Sequence, residues 1–511
     1  NDQRALNFFC KAGVGVNDTY LGIDLGTSSM KMVLTDSEKH ILGQISEEYE
    51  AVQSQNGWSE IDPEIWFQAM RRGMHNIFED QDPKNLKGIG VTGQMHTLIV
   101  MGEDGKPVRP AMMWNDTRTK ELLPELKKKI LEFPEGEYLS QTISTGSPAA
   151  NLYWLKVYEP ENLKKVKKFL IGPDYLVYRL TGAETTDYCE ASTSCLYEIC
   201  NKCWSDRMRN LIGLDQSCYP ELRGSAECAG KIFPGIAEEL GISEEVEVIV
   251  GTGDNPATAI STGCLGLGYP VVSLGTSGVF MMPIDKPESQ TKGKKILFSF
   301  DDKKFQYLVQ GVVQCNGNTF DWWNKNIMEL KHFQELTTSI DVNSNARNEL
   351  IFYPHLDGDK TIYADPELRG AFIGLNLTTS QENLFYAVIE GLCFGFRELA
   401  EKMHLPLEKY GTVKVVGGGA KSPVWLQTMA NVLNIAVEKM EGMIGPAFGI
   451  ALLAAYKGGS ITSLEQISEG NVKIECRYEP NEEAFKACQK KYQEYLRIRS
   501  GLQYIKNGVM E

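Results

Sequence analysis

The tetrapeptide Leu-Gly-Thr-Ser occurs twice in this chain, at Leu25–Ser28 and at Leu274–Ser277, nearly half of the 511 residues apart. Each copy interrupts apolar, strand-like sequence: Tyr20–Asp24 and Met30–Leu34 flank the first, and Val271–Phe280 contains the second. Glycine beside small hydroxyl residues between such runs is typical of a β-hairpin turn. We therefore predict one hairpin of the same kind in each half, and two related domains that face one another.

The rest of the chain alternates short apolar runs with amphipathic helical patterns, which predicts an α/β fold. The clearest such segments are predicted strands at 88–93 and 246–250 and predicted helices at 149–158, 380–404, 424–433 and 482–499. A Gly-rich stretch at 261–268 is the predicted domain junction. The predicted organisation is an N-terminal extension (1–18), an N-terminal domain (19–262) and a C-terminal domain (263–511).

The formal net charge of −15 argues against general affinity for nucleic acid or an anionic membrane, because the field of the whole protein repels polyanions. Twelve cysteines without a framework spacing indicate a reducing compartment. No cleavable leader or membrane-spanning apolar run is recognisable. We expect a cytoplasmic protein with small-molecule partners, and the sequence leaves a homodimer open.

The first hairpin turn has the chemistry to bind a triphosphate. Gly26 lets the backbone approach phosphate, Thr27 and Ser28 offer amides and hydroxyls, and Asp24 can hold Mg²⁺ directly or through water. The alternative is an ordinary hairpin with an exposed aspartate. The second copy favours phosphate binding, because Gly275, Thr276 and Ser277 of the C-terminal half could bind the same phosphate chain as the first turn.

A third Gly-rich turn follows the apolar run that ends at Val416. Gly417, Gly418 and Gly419 turn the chain, and Ser422-Pro423 supplies an N-cap and a first-turn proline for the next helix. Bare backbone before a helix can lie against a nucleotide. We therefore expect Gly418 and Gly419 to contact the nucleotide.

Asp254 lies in the glycine-flanked segment 251–254 after a predicted strand. A carboxylate in such a place can accept a proton from a hydroxyl that attacks phosphorus. Spacing alone favours a simpler interpretation, in which Asp254 caps the helix beginning near Pro256.

The segment Gln94-Met95-His96 follows the predicted strand 88–93, where α/β folds bind ligands. The other two Met-His pairs, at 74–75 and 403–404, fall within helical patterns. A neutral His96 suits hydrogen bonds to sugar hydroxyls, and Trp114 offers an aromatic wall, although a purely structural tryptophan is the alternative. These residues point to a sugar site.

Two other sequence motifs lack the neighbouring sequence that their usual functions require. Gly88-x-Gly90-x-x-Gly93 matches the dinucleotide fingerprint, but no helix is predicted to follow, which argues against a dehydrogenase. Cys200-x-x-Cys203 is a single pair without a second pair at zinc-ribbon spacing, so no metal site is expected there.

Taken together, these motifs resemble the FGGY family of carbohydrate kinases from Tyr20 to about Gly458. The segments 365–375 and 383–390 look like the C-terminal signature of that family, and the site motifs look most like those of its xylulokinase branch. The resemblance implies two actin-like, ribonuclease-H-like domains flanking a central cleft that binds sugar and ATP-Mg²⁺. It implies that Asp254 is the general base, that Met95, His96, Trp114 and Asn255 contact the sugar, and that Asp24 serves the metal.

Three departures from typical xylulokinases lie in the N-terminal domain: Thr97 replaces a glycine, Asn151 replaces a lysine, and the loop 145–150 is short. The prediction is phosphorylation of O5 of D-xylulose by ATP. Open alternatives are another ketose, a polyol or a sugar acid such as gluconate, for which Arg118 is the expected cationic partner. Rivals of other classes are an actin- or Hsp70-like ATPase and a non-catalytic sugar sensor.

Overall fold

The structure is a computed structural model that describes residues 18–50, 57–287, 292–328, 340–359, 361–363, 365, 367–441, 445–468 and 473–507. Of the predicted N-terminal extension, residues 1–17 lie outside this range. The described chain is of the α/β class, as predicted from the alternation of strands and helices.

The first half of the chain contains fifteen strands and eleven α-helices among its described residues. The strands are β1 (Thr19–Leu25), β2 (Ser29–Asp36), β3 (Ile41–Glu48), β4 (Glu60–Ile61), β5 (Leu86–Gly93), β6 (Leu98–Met101), β7 (Ala111–Met112), β8 (Lys168–Ile171), β9 (Thr185–Asp187), β10 (Tyr197–Glu198), β11 (Cys203–Trp204), β12 (Glu221–Arg223), β13 (Cys228–Lys231), β14 (Glu247–Ile249) and β15 (Thr252–Gly253). The helices are α1 (Pro63–Ile77), α2 (Leu123–Ile130), α3 (Gly136–Thr142), α4 (Pro148–Tyr158), α5 (Pro160–Leu163), α6 (Asp174–Thr181), α7 (Tyr188–Thr193), α8 (Asp206–Ile212), α9 (Pro234–Leu240), α10 (Asp254–Ser261) and α11 (Cys264–Leu267).

The second half contains nine strands and eight α-helices in its described part. The strands are β16 (Val271–Leu274), β17 (Gly278–Ile284), β18 (Lys294–Ser299), β19 (Phe305–Val313), β20 (Ile351–Tyr353), β21 (Ala371–Ile373), β22 (Thr412–Val416), β23 (Ala436–Met440) and β24 (Ile474–Tyr478). The helices are α12 (Gly317–Trp322), α13 (Val342–Asn345), α14 (Gln381–Lys402), α15 (Leu407–Tyr410), α16 (Pro423–Leu433), α17 (Pro446–Lys457), α18 (Leu464–Ser468) and α19 (Glu482–Asn507). Short 3₁₀ turns lie at Pro83–Asn85, Lys120–Leu122, Gln216–Cys218 and Gly418–Lys421, and a π-helical turn lies at Trp323–Met328.

The two large sheets repeat one topology. In the first, the strand order β3-β2-β1-β5-β14 joins an antiparallel β1–β2–β3 meander to β5 and β14, which run parallel to β1. In the second, β19-β17-β16-β22-β23 has the same strand order and directions, although β18 lies between β17 and β19 in the sequence and pairs with the outer side of β19. The predicted hairpins are therefore β1–β2 and β16–β17, each at the centre of a sheet. The repeated tetrapeptide marks a repeated supersecondary unit.

Helix α17, from the second half of the sequence, packs on the first sheet. A Cβ at Gly22 would lie 1.9 Å from the Ala447 carbonyl oxygen, and one at Gly90 would lie 2.5 Å from that of Ile450. Glycine is required wherever helix and sheet backbones approach this closely. Gly90 of the apparent dinucleotide fingerprint thus serves helix packing.

Several predicted helices and strands differ from the observed ones by a few residues. The helix predicted at 380–404 is α14, which begins after the N-cap Ser380 and ends at Lys402, so Met403 and His404 follow the helix. His404 has a positive φ of 54°, which terminates the helix. The helix predicted at 482–499 continues to Asn507.

Candidate active site

Three parallel strands of the first sheet bring the predicted site residues to one edge. Asp24, near the end of β1, is in register with Thr92 of β5, and Thr92 is in register with Thr252 of β15. Gln94-Met95-His96 follows β5, and Asp254 follows β15. Side chains at the carboxyl ends of adjacent parallel strands converge, which is where ligands bind in open α/β sheets.

Asp254 is the first residue of α10 rather than its cap. Gly253 occupies the N-cap position, and no side chain makes a capping bond there. The capping interpretation of Asp254 is therefore wrong, because the helix begins two residues earlier than the position of Pro256 indicated. Burial raises the pKa of Asp254 to about 7, and hydrogen bonds from the backbone of Asp254 and Asn255 oppose the rise. The carboxyl group can therefore exchange a proton near neutral pH.

Asp24 is a buried carboxyl group that lies beside the partly exposed Asp254. Burial, and to a smaller extent the negative charge of Asp254, raise the pKa of Asp24 to about 7 against the opposing charge of Lys31. A buried carboxylate that is repelled by a neighbouring carboxylate favours protonation or a bound cation. Among the described residues, no group of three or more His, Cys, Asp or Glu side chains is arranged to hold a metal ion. Mg²⁺ needs only one or two carboxylates when phosphates complete its shell, so Asp24 fits that ion.

Met95 and Asn255 tie the β5 segment to the start of α10. The Asn255 Nδ2 donates to Met95 Sδ at 3.6 Å, and a Cβ at Gly253 would lie 2.5 Å from Met95 Cγ. The buried amide of Gln94 has no hydrogen-bond partner among the described residues. The structure thus brings Met95, Asn255 and Asp254 together.

His96 has a left-handed backbone, with φ at 71°. Its N–H donates to Glu190 Oε2 at 3.4 Å, which holds this unusual conformation in place. Glu190 lies in α7 and is buried, and burial together with Asp174, Asp187 and Asp254 raises its pKa well above the ordinary value. Sequence reasoning missed Glu190. Its only signal was the pattern Asp187-x-x-Glu190, which resembles a capping box.

Trp114 follows β7 and is 37% exposed, and its ring Nε1 donates to Thr27 Oγ1 at 3.0 Å. Trp114, the predicted aromatic wall of the sugar site, is therefore in direct contact with the first hairpin turn. Thr97 is fully buried, and its hydroxyl accepts a hydrogen bond from the Trp114 backbone N–H at 3.2 Å. This departure from the family pattern positions the tryptophan.

The two hairpin turns are held differently. In the first, the Gly26 N–H donates to the Ser29 carbonyl oxygen at 3.0 Å. In the second, the Gly275 carbonyl oxygen accepts from Gly317 N–H at 3.1 Å and from Asn316 Nδ2 at 3.0 Å. Ser28 in the first turn and Thr276 in the second are both exposed and can donate to a phosphate.

The third Gly-rich turn lies directly beside the second hairpin. Gly417 has φ 94°, and a Cβ there would lie 2.8 Å from the Leu274 carbonyl oxygen. Gly418 faces open space, since a Cβ would meet no atom within 4 Å. Ser422 caps α16 by accepting a bond from Trp425 N–H. The second sheet thus presents two bare backbone turns at one edge, as a nucleotide requires.

Arg118 does not provide the cation expected for a sugar acid. Its side chain is 1% exposed, pairs with Asp116 and Glu60, and lies 3.7 Å from the Trp58 ring centroid. A cation that does lie beside the site is Lys294, whose Nζ is 3.1 Å from His96 Nε2. It comes from β18 of the second sheet, and only the tertiary structure brings it to His96.

Asn151, another departure from the family pattern, is buried in α4, and its side-chain amide has no hydrogen-bond partner within the described ranges. Separately, none of the helices in the described segments combines the length and apolar composition needed to cross a bilayer.

Comparison with known proteins identifies both halves. Residues 19–261 match the N-terminal domain model of the FGGY family of carbohydrate kinases, and residues 271–458 match its C-terminal domain model. The chain is 32% identical over 466 residues to a xylulose kinase of Bacillus subtilis, which covers 90% of this chain and 92% of the relative. It is 25% identical over 463 residues to a gluconokinase of the same species, over 88% of this chain and 89% of the relative.

Among solved structures, the chain is similar to one described as a xyloylose kinase from Brucella ovis, with a TM-score of 0.85 and 28% identity. The match covers 95% of this chain and 100% of that one. This agreement confirms the predicted architecture of two actin-like domains around a cleft.

Proposed function

Since the chain belongs to the FGGY family of carbohydrate kinases and is therefore an ATP-dependent sugar kinase, we propose that it transfers the γ-phosphoryl group of ATP to O5 of D-xylulose. The product is D-xylulose 5-phosphate. The xylulose kinase relatives from several bacteria, at 28–32% identity over most of the chain, favour this substrate. In the proposed division of labour, residues 19–262 bind the sugar and supply the base, and residues 263–511 bind the nucleotide.

The observation that carries the proposal is the position of Asp254. Asp254 begins α10 and precedes Asn255, whose side chain contacts Met95, and burial raises the pKa of Asp254 to about 7. A general base works best when its pKa lies near the working pH. Asp254 is proposed to accept the O5 proton as that oxygen attacks the γ-phosphorus in line.

The proposed sugar contacts are Gln94, Met95, His96, Trp114 and Asn255. Gln94 supports the assignment because its buried amide has no hydrogen-bond partner among the described residues and can therefore bind a polar ligand. Trp114 adds an aromatic face that excludes water from the attacking hydroxyl.

The proposed phosphate contacts come from both sheets. Gly26, Thr27 and Ser28 would bind the γ-phosphate, and Gly275, Thr276, Ser277, Gly418 and Gly419 would bind the rest of the nucleotide. Asp24 is the proposed Mg²⁺ ligand. When bound, Mg²⁺ would neutralise charge on the phosphates during transfer.

A sugar acid such as gluconate is the second candidate, favoured by the gluconokinase relative and by Lys294 beside His96. A coupled assay of ADP release with D-xylulose, D-ribulose, xylitol, D-gluconate and no sugar separates the candidates. We expect kcat/KM for D-xylulose to exceed the others by at least about tenfold. A higher value for D-gluconate would contradict the ketose, and equal ADP release without sugar would indicate an ATPase.

The proposed setting is the cytoplasm, where ATP is abundant, and the proposed assembly is a homodimer. Sedimentation of the purified protein measures the assembly directly.

A further inference from the structure

Tyr49 lies beside the first Leu-Gly-Thr-Ser turn. It follows β3, the strand that pairs with β2, and only 8% of its surface is exposed. Its backbone N–H donates to the Ser28 carbonyl oxygen at 3.0 Å, and its Oη donates to the Gly26 carbonyl oxygen. A carbonyl oxygen can only accept, so Tyr49 is the donor in both bonds. One residue therefore binds two carbonyl groups of this turn.

These bonds determine the orientation of the peptide groups in the turn. The C=O and N–H groups of a trans peptide point in opposite directions, and no peptide bond in the described part of the chain is cis. Because the Gly26 carbonyl points to Tyr49, the Thr27 N–H of the same peptide group points away from Tyr49. The N–H groups of Thr27 and Ser28 make no hydrogen bond within the described residues, and both residues are at least partly exposed. These N–H groups are thus available to an anion.

The second turn has a similar arrangement built from different residues. The Gly275 carbonyl oxygen, which corresponds to that of Gly26, accepts from the fully buried Asn316 Nδ2 at 3.0 Å. The next carbonyl oxygen, that of Thr276, accepts from Asn318 N–H at 3.1 Å. In each half, a buried side chain from outside the tetrapeptide thus binds the carbonyl of its glycine. Because the bonded atom is the same and the donor differs, the bond is a requirement of the turn itself.

We propose that Tyr49 is a positioning residue for phosphoryl transfer: by binding the carbonyl groups of Gly26 and Ser28, it directs the amide N–H groups of the first turn towards the γ-phosphate. This inference rests on the proposed function, which assigns the γ-phosphate to that turn. Tyr49 acts through the turn and not on the nucleotide itself. Without its Oη, the peptide group between Gly26 and Thr27 loses a restraint on its rotation, and a carbonyl oxygen turned towards the phosphate repels it.

The test compares two nucleotides that differ in the γ-phosphate: ADP and the non-hydrolysable ATP analogue AMP-PNP, each with Mg²⁺. Calorimetry on the purified full chain gives Kd for both in the wild-type protein and in Tyr49→Phe, which removes Oη and keeps the ring and the backbone N–H. We expect Kd for AMP-PNP to rise about 3- to 10-fold, as the loss of one hydrogen bond predicts, and Kd for ADP to change less than about twofold. In steady-state kinetics kcat should fall, and KM for the sugar should stay unchanged.

Tyr178→Phe is the matched control. The Tyr178 Oη also donates to a glycine carbonyl oxygen, that of Gly105 at 3.3 Å, but Gly105 lies between β6 and β7 and outside the phosphate turns. This variant should change neither dissociation constant. Equal losses of ADP and AMP-PNP affinity in Tyr49→Phe, with a lower Tm, would mean that Tyr49 only stabilises β3 and would overturn the inference.

Ser28→Ala separates this inference from the assignment of the γ-phosphate to the first turn. A selective loss of AMP-PNP affinity in Ser28→Ala but not in Tyr49→Phe would leave that assignment in place and overturn the role of Tyr49. If neither variant distinguished the two nucleotides, the assignment would be wrong and the inference would fall with it. A wild-type protein that prefers a sugar other than D-xylulose would contradict the proposed substrate, and the nucleotide comparison would still test Tyr49.

Discussion

The two Leu-Gly-Thr-Ser hairpins share a backbone plan and differ in what precedes and surrounds them. Asp24 precedes the first tetrapeptide and Ser273 precedes the second. The strand beside β1 leads to Met95 and His96, and β15 next to it leads to Asp254, whereas the strand beside β16 leads to the glycines 417–419. The first turn therefore lies near a second carboxylate, that of Asp254, and the second turn lies beside bare backbone.

This difference shows that the tetrapeptide specifies only the turn. Glycine and the hydroxyl residues make both turns suitable for binding phosphate. The charge at each site depends instead on the residue before the turn and on the residues that follow the neighbouring parallel strand. Burial and the charge of Asp254 raise the pKa of Asp24. The second hairpin is instead anchored through Asn316 and Gly317. We therefore propose that one supersecondary unit serves catalysis in one half and nucleotide binding in the other.

Removing the carboxylate opposite the first hairpin should have the largest effect. Asp254→Ala should lower kcat by about 10³-fold, because the attacking hydroxyl loses its base, and should leave ATP binding nearly unchanged. Steady-state kinetics and ATP titration measure both. Asp206→Ala is the matched control, since Asp206 also begins a helix of the first half but is exposed. Near-wild-type turnover in Asp254→Ala would exclude this residue as the base.

Exchanging the residue before each tetrapeptide tests whether that residue distinguishes the hairpins. Asp24→Ser should lower kcat about 10²-fold and raise the Mg²⁺ concentration needed for half-maximal rate, because the proposed metal ligand is lost. Ser273→Asp should mainly raise KM for ATP, about tenfold, because a new carboxylate would repel the phosphates. If the two variants gave the same kinetic change, the hairpins would not have the different roles proposed for them.

The pH dependence of activity should follow the ionisation of Asp254 at the edge of the first sheet. Asp254 must be ionised to accept a proton, and its pKa is raised to about 7, so activity is present above that pH and is lost as pH falls. We expect kcat/KM for the sugar to fall about tenfold between pH 8 and pH 6. A flat profile down to pH 5 would contradict a base of this pKa.

The smallest expected effect is on thermal stability. A carboxyl group whose folded-state pKa is raised contributes stability below its unfolded pKa near 4 and loses that contribution as pH rises through about 7. Asp254→Asn does not titrate, so its Tm should exceed the wild-type value by a few degrees at pH 8 and by less at pH 5. Asp206→Asn should show no such pH-dependent difference. Equal Tm differences at both pH values would indicate that ionisation of Asp254 is not the cause.

The sequence alone was sufficient for the local features of this protein. Glycine and hydroxyl residues between apolar runs predicted both central hairpins, and Ser422-Pro423 predicted the start of α16, because turn and cap geometry depend on neighbouring residues. The resemblance of these motifs to FGGY kinases also predicted the two-domain architecture that the comparisons confirm.

The tertiary structure decided which distant side chains meet. Arg118 forms a buried ion pair with Asp116. Lys294 from the second half contacts His96 of the first half, and Glu190 accepts a hydrogen bond from the His96 N–H. Gly90 accommodates α17, which lies more than 350 positions later in the sequence. Such contacts depend on sheet order and on the docking of one half against the other, and these are set by the summed burial of many residues rather than by any local pattern.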